Sequence, residues 1–347
     1  MRPPPKKVFR FAITTGDQDG VGPEVCYKAL TALNYEPIAP VQIFVFRSES
    51  KSNSWYKPFL KRHPKVIQKN IDTASFTSKT LLAENYFPAP VGPEQNQLQI
   101  VEVLSSASPA FWVKWCAELC VKGELQGIVT GPLSKTEIQK AGLSSIGHTE
   151  ILQKATGIKP AYMGFLGSKF NVVLGSGHIP ARMTGRQFLA SFNSAYRAAE
   201  QLRSLLPLPQ RALPIAVLGI NPHASEGGLI GSEDLTLQKK ISALRKKGHS
   251  VIGPLVPDVA FRPINWKNYS VFLASGHDQG LIPFKMVHGF DEGVHLTLGL
   301  PILRTSVDHG TAKDLFGKNR ALAGSMKSAI EFCLRAACER KRKDKYV

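Results

Sequence analysis

No apolar run in the chain approaches the roughly 18 to 20 residues that a bilayer-spanning helix needs, so no membrane partner is expected. The first residues, Met1–Asp17, are basic but hold neither a continuous apolar stretch nor a small-residue cleavage site, so they do not read as a secretory signal. A cytoplasmic location is the expectation. Cysteine is scarce. Cys26, Cys116, Cys120, Cys333 and Cys338 form an odd set without C-x-x-C spacing. Cys116 and Cys120 lie four apart and read as buried thiols rather than as half of a zinc site. Acidic residues are outnumbered, 26 against 44 Lys and Arg, which leaves a net charge of +18. Such an excess can mark a nucleic-acid partner. Much of it, however, sits at the ends, in Lys6, Lys7 and Arg10 and in Arg340, Lys341, Arg342, Lys343 and Lys345, and reads as solvated tail, of which Arg340–Val347 is expected to be dispensable for catalysis. Without an aromatic-rich RNA motif or zinc-finger spacing, nucleic acid is not expected as a partner. G-x-G-x-x-G and G-x-x-x-x-G-K-[ST] are also missing, which excludes a standard Rossmann site and a P-loop.

What is present is an α/β pattern with room for two lobes. Short apolar runs suited to buried parallel strands occur at Val8–Ile13, Val41–Phe46, Gly127–Val129, Phe170–Leu174, Ile215–Leu218 and Val271–Ala274. Helical spacing predicts helices after Ser108-Pro109, from about Thr184 to Leu206, and from Asp234 to Lys247 before Gly248. Pro88–Gln97 reads as an irregular connection.

The polar residues collect just past the strands, where open α/β sheets bind ligands. His178, His223 and His277 each follow one of three predicted strands, beside glycines. Three such imidazoles can converge on one catalytic metal, or each can be a hydrogen-bonded loop histidine. Gly147-His148-Thr149-Glu150 opens a helix, either as an anion site or with Thr149 as a simple cap. Lys285 follows Pro283-Phe284, so its amine is expected near apolar surface; Arg304, after the apolar run Leu298–Leu303, is expected at a strand end. His63 and His249 read as surface residues, and His288, in a loop-like stretch, receives no role.

The segments ITTGDQDGVGPE (Ile13–Glu24), VTGPLSK (Val129–Lys135), GHTE (Gly147–Glu150), GINPHASEGGLIGSED (Gly219–Asp234), GHDQGLIPFK (Gly276–Lys285) and GLPILRTSVDHGTAKDLFGK (Gly299–Lys318) carry a resemblance. Together and in this order they resemble the 4-hydroxythreonine-4-phosphate dehydrogenase family of vitamin B6 (pyridoxal phosphate) biosynthesis. The resemblance implies a two-lobed isocitrate/isopropylmalate dehydrogenase-like α/β fold with mostly parallel sheets and a cleft between lobes. The lobes are expected as residues 1–135 plus 303–347, and 136–302, the second carrying most metal and substrate residues and the dimer interface. It implies oxidation and decarboxylation of a small phosphorylated hydroxy acid with NAD or NADP and one divalent metal (Zn, Mg, Co or Mn) per site. His178, His223 and His277 match metal ligands, His277 coming from the other subunit of a homodimer with a shared active site. His148, Thr149, Lys285 and Arg304 match substrate-binding positions. Asp258 and Asp278 match acidic residues near the metal and, with Lys285, are the catalytic candidates. Asp308, His309, Gly310, Thr311 and Ala312, with Asp314, Gly317 and Lys318, are similar to a nucleotide-binding loop. The sequence departs from the family at His295, a substrate-facing position where asparagine is usual, and at Gln18-Asp19, where Pro-Ala is usual. These departures leave open a related acid, threonate or erythronate 4-phosphate, as the substrate. A phosphotransacetylase-like acyltransferase and a nucleic-acid-binding protein are the alternatives of another class.

Overall fold

The computed structural model describes residues 8–37, 39–48, 54–71, 98–145 and 147–343, so the connection expected at Pro88–Gln97, Lys6 and Lys7, and the end of the basic tail lie outside the described residues. The strands are β1 (Phe9–Thr14), β2 (Val41–Arg47), β3 (Ile67–Ile71), β4 (Leu98–Ser105), β5 (Gly127–Thr130), β6 (Tyr162–Leu166), β7 (Val172–Leu174), β8 (Ile215–Leu218), β9 (Val251–Leu255), β10 (Val271–Ala274), β11 (Val294–Leu298) and β12 (Arg304–Val307). The longer helices are α1 (Gly22–Thr31), α2 (Tyr56–Arg62), α3 (Pro109–Val121), α4 (Lys135–Lys140), α5 (His148–Thr156), α6 (Thr184–Leu205), α7 (Glu233–Lys246), α8 (His277–His288) and α9 (Gly324–Lys343). None of the described helices is long and apolar enough to cross a membrane.

The chain divides into two compact units, Met1–Ile158 with Pro301–Val347, and Lys159–Leu300. Residues 136–158, expected in the second lobe, thus belong to the first. The reason is packing: α5 buries Ile151 and Leu152 and lies against α3, whose N-terminus is capped by the Ser108 hydroxyl accepting from Ala110 N.

In the first unit the strand order is β3-β4-β2-β1-β5-β12, with every neighbour parallel. β1 has β2 on one side and β5 on the other, so the winding reverses there. A crevice forms beyond the carboxyl ends at such a switch point. The first and second motifs interlock at this place. A side chain at Gly16 would put Cβ 2.1 Å from Pro132 O, and one at Gly131 would put it 2.3 Å from Thr15 O. Arg304 begins β12 rather than following a strand. The apolar run Leu298–Leu303 is broken by Gly299 at φ +83° and by Pro301, which lacks an N–H.

In the second unit the order is β11-β6-β7-β10-β8-β9. The pairs β11–β6 and β6–β7 are antiparallel, and the remainder parallel. Helix α6 covers this sheet with Phe188, Phe192, Ala195, Tyr196, Ala199 and Leu202, all buried at helical spacing. Helix α8 packs on β7 and β10 and seats Phe284 among Phe165, Phe170 and Phe272. Each fully buried phenylalanine contributes about 1.5–3 kcal/mol through apolar burial.

Candidate active site

In the second unit β7, β10 and β8 are adjacent and parallel, so the loops carrying His178, His277 and His223 leave the same sheet edge side by side. The His178 and His277 rings have centroids 5.1 Å apart. Asp278 Oδ1 lies 2.7 Å from His277 Nδ1, which orients the ring with Nε2 outward, as carboxylates do behind metal-binding imidazoles. The resemblance assigns His277 to the partner's site; in this chain its ring neighbours that of His178. His223 is exposed, with Nδ1 3.4 Å from Glu226 Oε1. Among the described residues no group of three or more His, Cys, Asp or Glu gathers as a metal site within one chain. The donor chemistry still fits a divalent ion: two close imidazoles, one already oriented by a carboxylate.

Two residues outside the expected site hold these loops. Asp234, buried on α7, accepts from Ile220 N (2.7 Å), Asn221 N (3.0 Å) and Ser225 Oγ (2.7 Å). The loop it grips runs through four successive non-glycine residues, His223 to Glu226, at φ 44° to 66°, a left-handed conformation costing roughly 1–2 kcal/mol per residue. Gln279 Oε1 accepts from Ser275 N at 2.7 Å while its Nε2 donates to Gly219 O at 2.7 Å, tying the loop after β10 to the loop after β8. Both residues lie inside the quoted motifs, so membership of a motif is the signal that could have found them.

The other candidates in this unit are dispersed. Lys285 is half-buried on α8, its Nζ 5.6 Å from the centroid of the Phe290 ring, so the amine does lie beside apolar surface. Asp258 is exposed beyond the carboxyl end of β9. His295, on β11, stacks on Phe165 at 5.0 Å and 16°. His288 is not in a loop: it ends α8, buried, with Lys169 N donating to Nε2 at 3.1 Å.

The first unit brings Arg304 and His148 close together. Arg304 is only 2% exposed, and it donates from Nε (3.1 Å) and Nη2 (2.6 Å) to Thr130 Oγ1. Burial pushes its pKa down to about 9, so the guanidinium remains charged at neutral pH but poorly solvated. His148 opens α5. Its pKa is held well below the usual histidine range, first by burial and then by the Arg304 charge, against a hydrogen bond with the Gly131 backbone. Its Nε2 is buried without a hydrogen-bond partner among the described residues. The helix cap is Gly147, with no side-chain cap. Thr149 therefore does not cap the helix, and the first-turn N–H groups stay available to an anion.

The expected nucleotide loop follows β12 in the same unit. Ala312 (φ 40°) and Gly317 (φ 75°) are left-handed. Gly310, Asp314, Gly317 and Lys318 are exposed. His309 Nε2 is buried without a hydrogen-bond partner among the described residues, and Asp308 N donates to Ser325 Oγ at 3.2 Å. An exposed, turn-rich backbone with an orphaned imidazole nitrogen suits a polar ligand.

The model of the pyridoxal phosphate biosynthetic protein PdxA family matches residues 55–333. The chain belongs to that family. A 4-hydroxythreonine-4-phosphate dehydrogenase of Aquifex aeolicus is 35% identical to this PdxA-family chain, over 92% of it and 96% of the relative. One of Desulfosudis oleivorans is 34% identical, over 96% and 97%. A solved structure of a putative 4-hydroxythreonine-4-phosphate dehydrogenase from Salmonella typhimurium superposes with a TM-score of 0.69 at 29% identity, covering 94% of this chain and 99% of that one. The PdxA fold is therefore the α/β, mostly parallel architecture described above, and the family's named relatives are oxidoreductases.

Proposed function

We propose that the chain is a 4-hydroxythreonine-4-phosphate dehydrogenase, oxidising the C3 hydroxyl of 4-phosphooxy-L-threonine and releasing carbon dioxide to give 3-amino-2-oxopropyl phosphate. The observation that carries this reading is the buried Arg304, held by Thr130 at the carboxyl end of β5, near His148 with its buried Nε2 left without a partner among the described residues. Arginine is a natural partner of phosphate and carboxylate, and the substrate named for the family's relatives carries both.

Each residue then has a task. Arg304 and the uncapped start of α5, with Thr149, bind the anionic end. His148 Nε2 accepts from a substrate hydroxyl. His178, His223 and His277 would hold the divalent ion, with the set completed between two copies of the chain, and the 308–318 loop would hold NAD or NADP. When bound, the nicotinamide takes up hydride and the metal acidifies the hydroxyl and polarises the resulting carbonyl. Asp278 keeps the His277 ring oriented. Asp258 offers an exposed carboxylate as proton acceptor, and Lys285, beside Phe290, returns a proton to the carbon that loses carbon dioxide. His295 contributes its ring edge near the substrate.

The homodimer has physical support in the exposed apolar row Ile282, Met286 and Phe290 on and just past α8, 58%, 81% and 71% exposed. Such a row marks an association surface. The direct test is NAD and NADP reduction with 4-phosphooxy-L-threonine and with threonate and erythronate 4-phosphates, each with several divalent metals. Turnover of the amino acid phosphate at the highest kcat/KM supports the reading. A higher value for either sugar acid shifts the substrate, and absence of reduction with all three removes it.

A further inference from the structure

The departure at Gln18-Asp19 places a carboxylate against the 308–318 loop. Asp19 Oδ2 accepts from Lys313 Nζ at 2.7 Å, and Lys313 also lies 3.4 Å from Asp17 Oδ2. The two carboxylates differ in circumstance. Asp17 is buried, and its Oδ1 accepts from Ser134 N at 2.9 Å, so it serves the interior. Asp19 is 64% exposed, and Lys313 is the side chain it holds.

The loop cannot drift from this carboxylate. Val21 N donates to Thr311 O at 2.9 Å. A side chain at Gly20 would meet Thr311 O at 2.9 Å. Farther along, Glu24 Oε1 accepts from Ala321 N (2.8 Å) and from Lys28 Nζ (2.7 Å). Lys28 in turn donates to the carbonyls of Asn319 (3.1 Å) and Ala321 (3.0 Å). The first motif thus grips both ends of the loop, and Asp19 stands where the grip meets its cation.

With alanine at position 19, Lys313 and Asp17 would cancel, leaving the ammonium's outer side for a ligand phosphate. With Asp19 the three groups sum to one negative charge and the amine is claimed. Specificity by an opposing charge needs no contact with the preferred ligand. We propose that Asp19 is a specificity-determining residue for the dinucleotide: by claiming Lys313 it disfavours a ribose 2′-phosphate, so the chain takes NAD in preference to NADP. This rests on the reading of the 308–318 loop as the nucleotide site.

The test is calorimetric titration of the purified protein with NAD and with NADP, without substrate. Wild type should bind NAD the more tightly. Asp19→Ala should move the NADP-to-NAD affinity ratio about tenfold toward NADP, and Asp19→Ala/Lys313→Gln should move it back. A ratio unmoved in Asp19→Ala of unchanged Tm overturns the assignment, as does a wild type that prefers NADP. Thr311→Trp separates the two failures. If it leaves both affinities unchanged, the loop is not the nucleotide site; if it weakens both while Asp19→Ala leaves the ratio alone, only the role of Asp19 falls.

Discussion

Arg304 shows how one residue sets binding against stability. Its charge is kept from water, and the pKa pushed down to about 9 records the strain of that position. Arg304→Met should therefore fold with a Tm near that of wild type, since removing a desolvated charge offsets the lost hydrogen bonds to Thr130. Inorganic phosphate should raise the Tm of wild type and not that of the variant, a comparison made by thermal shift with and without phosphate. An equal phosphate effect in both proteins would place the anion elsewhere. His288 makes a different prediction. Lys169 N donates to its Nε2, so Nδ1 carries the proton and donates to Phe284 O at 2.9 Å. Burial, the largest influence, holds its pKa below the usual histidine range. As pH falls below about 6.5, the unfolded chain takes up a proton that the folded chain refuses. The stabilisation is complete above the unfolded value and declines as pH drops toward the folded one, by up to about 1.4 kcal/mol per unit. His288→Gln should flatten the fall in urea-unfolding stability as pH drops from about 7.5 to about 5.5; an identical slope in both proteins would mean that His288 does not titrate this way.

At the scale of elements, legibility followed burial. Ile215–Leu218 and Val271–Ala274 are strands residue for residue, because a strand covered on both faces is apolar throughout. β3 (IQKNI) and β11 (VHLTL) carry polar side chains at intervals, and β9 (VIGPL) contains glycine and proline, so no apolar run announces them. The opposite happens at Leu298–Leu303, where Leu298, Leu300, Ile302 and Leu303 are buried around an exposed Gly299 and Pro301, so Arg304 opens a strand instead of closing one. The histidine loops were legible because each interrupts an apolar run with glycine. Their supports, Asp234 and Gln279, were not, since a side chain that binds backbone leaves no periodic trace. Asp234→Ala should release the left-handed His223 loop. Metal affinity measured by competition with a chelator should fall about 10- to 100-fold with all three histidines intact. Affinity equal to wild type would show that the loop holds its shape unaided.

At the scale of the whole molecule the predictions concern two copies of the chain. Met286→Glu places a charge in the exposed apolar row of α8; if that row is the proposed dimer surface, light scattering should find wild type dimeric and the variant monomeric. Mixing inactive His223→Ala with inactive His277→Ala protein should restore part of the activity, because a hybrid dimer can assemble one intact ligand set. Continued inactivity despite proven subunit exchange would count against a shared site. The division of the chain has a consequence of its own. The first unit is discontinuous: it stops at Ile158 and resumes at Pro301. Its strand β12 and the helix α9, which packs on β12, β5 and α1, are synthesised only after the whole second unit. At roughly 5–20 residues per second the nascent first unit waits on the order of ten seconds with β5 lacking its β12 neighbour. The second unit, contiguous in sequence, can close in that interval. The interrupted unit is thus completed only after the contiguous one has been made, with the β12 side of β5 uncovered in between.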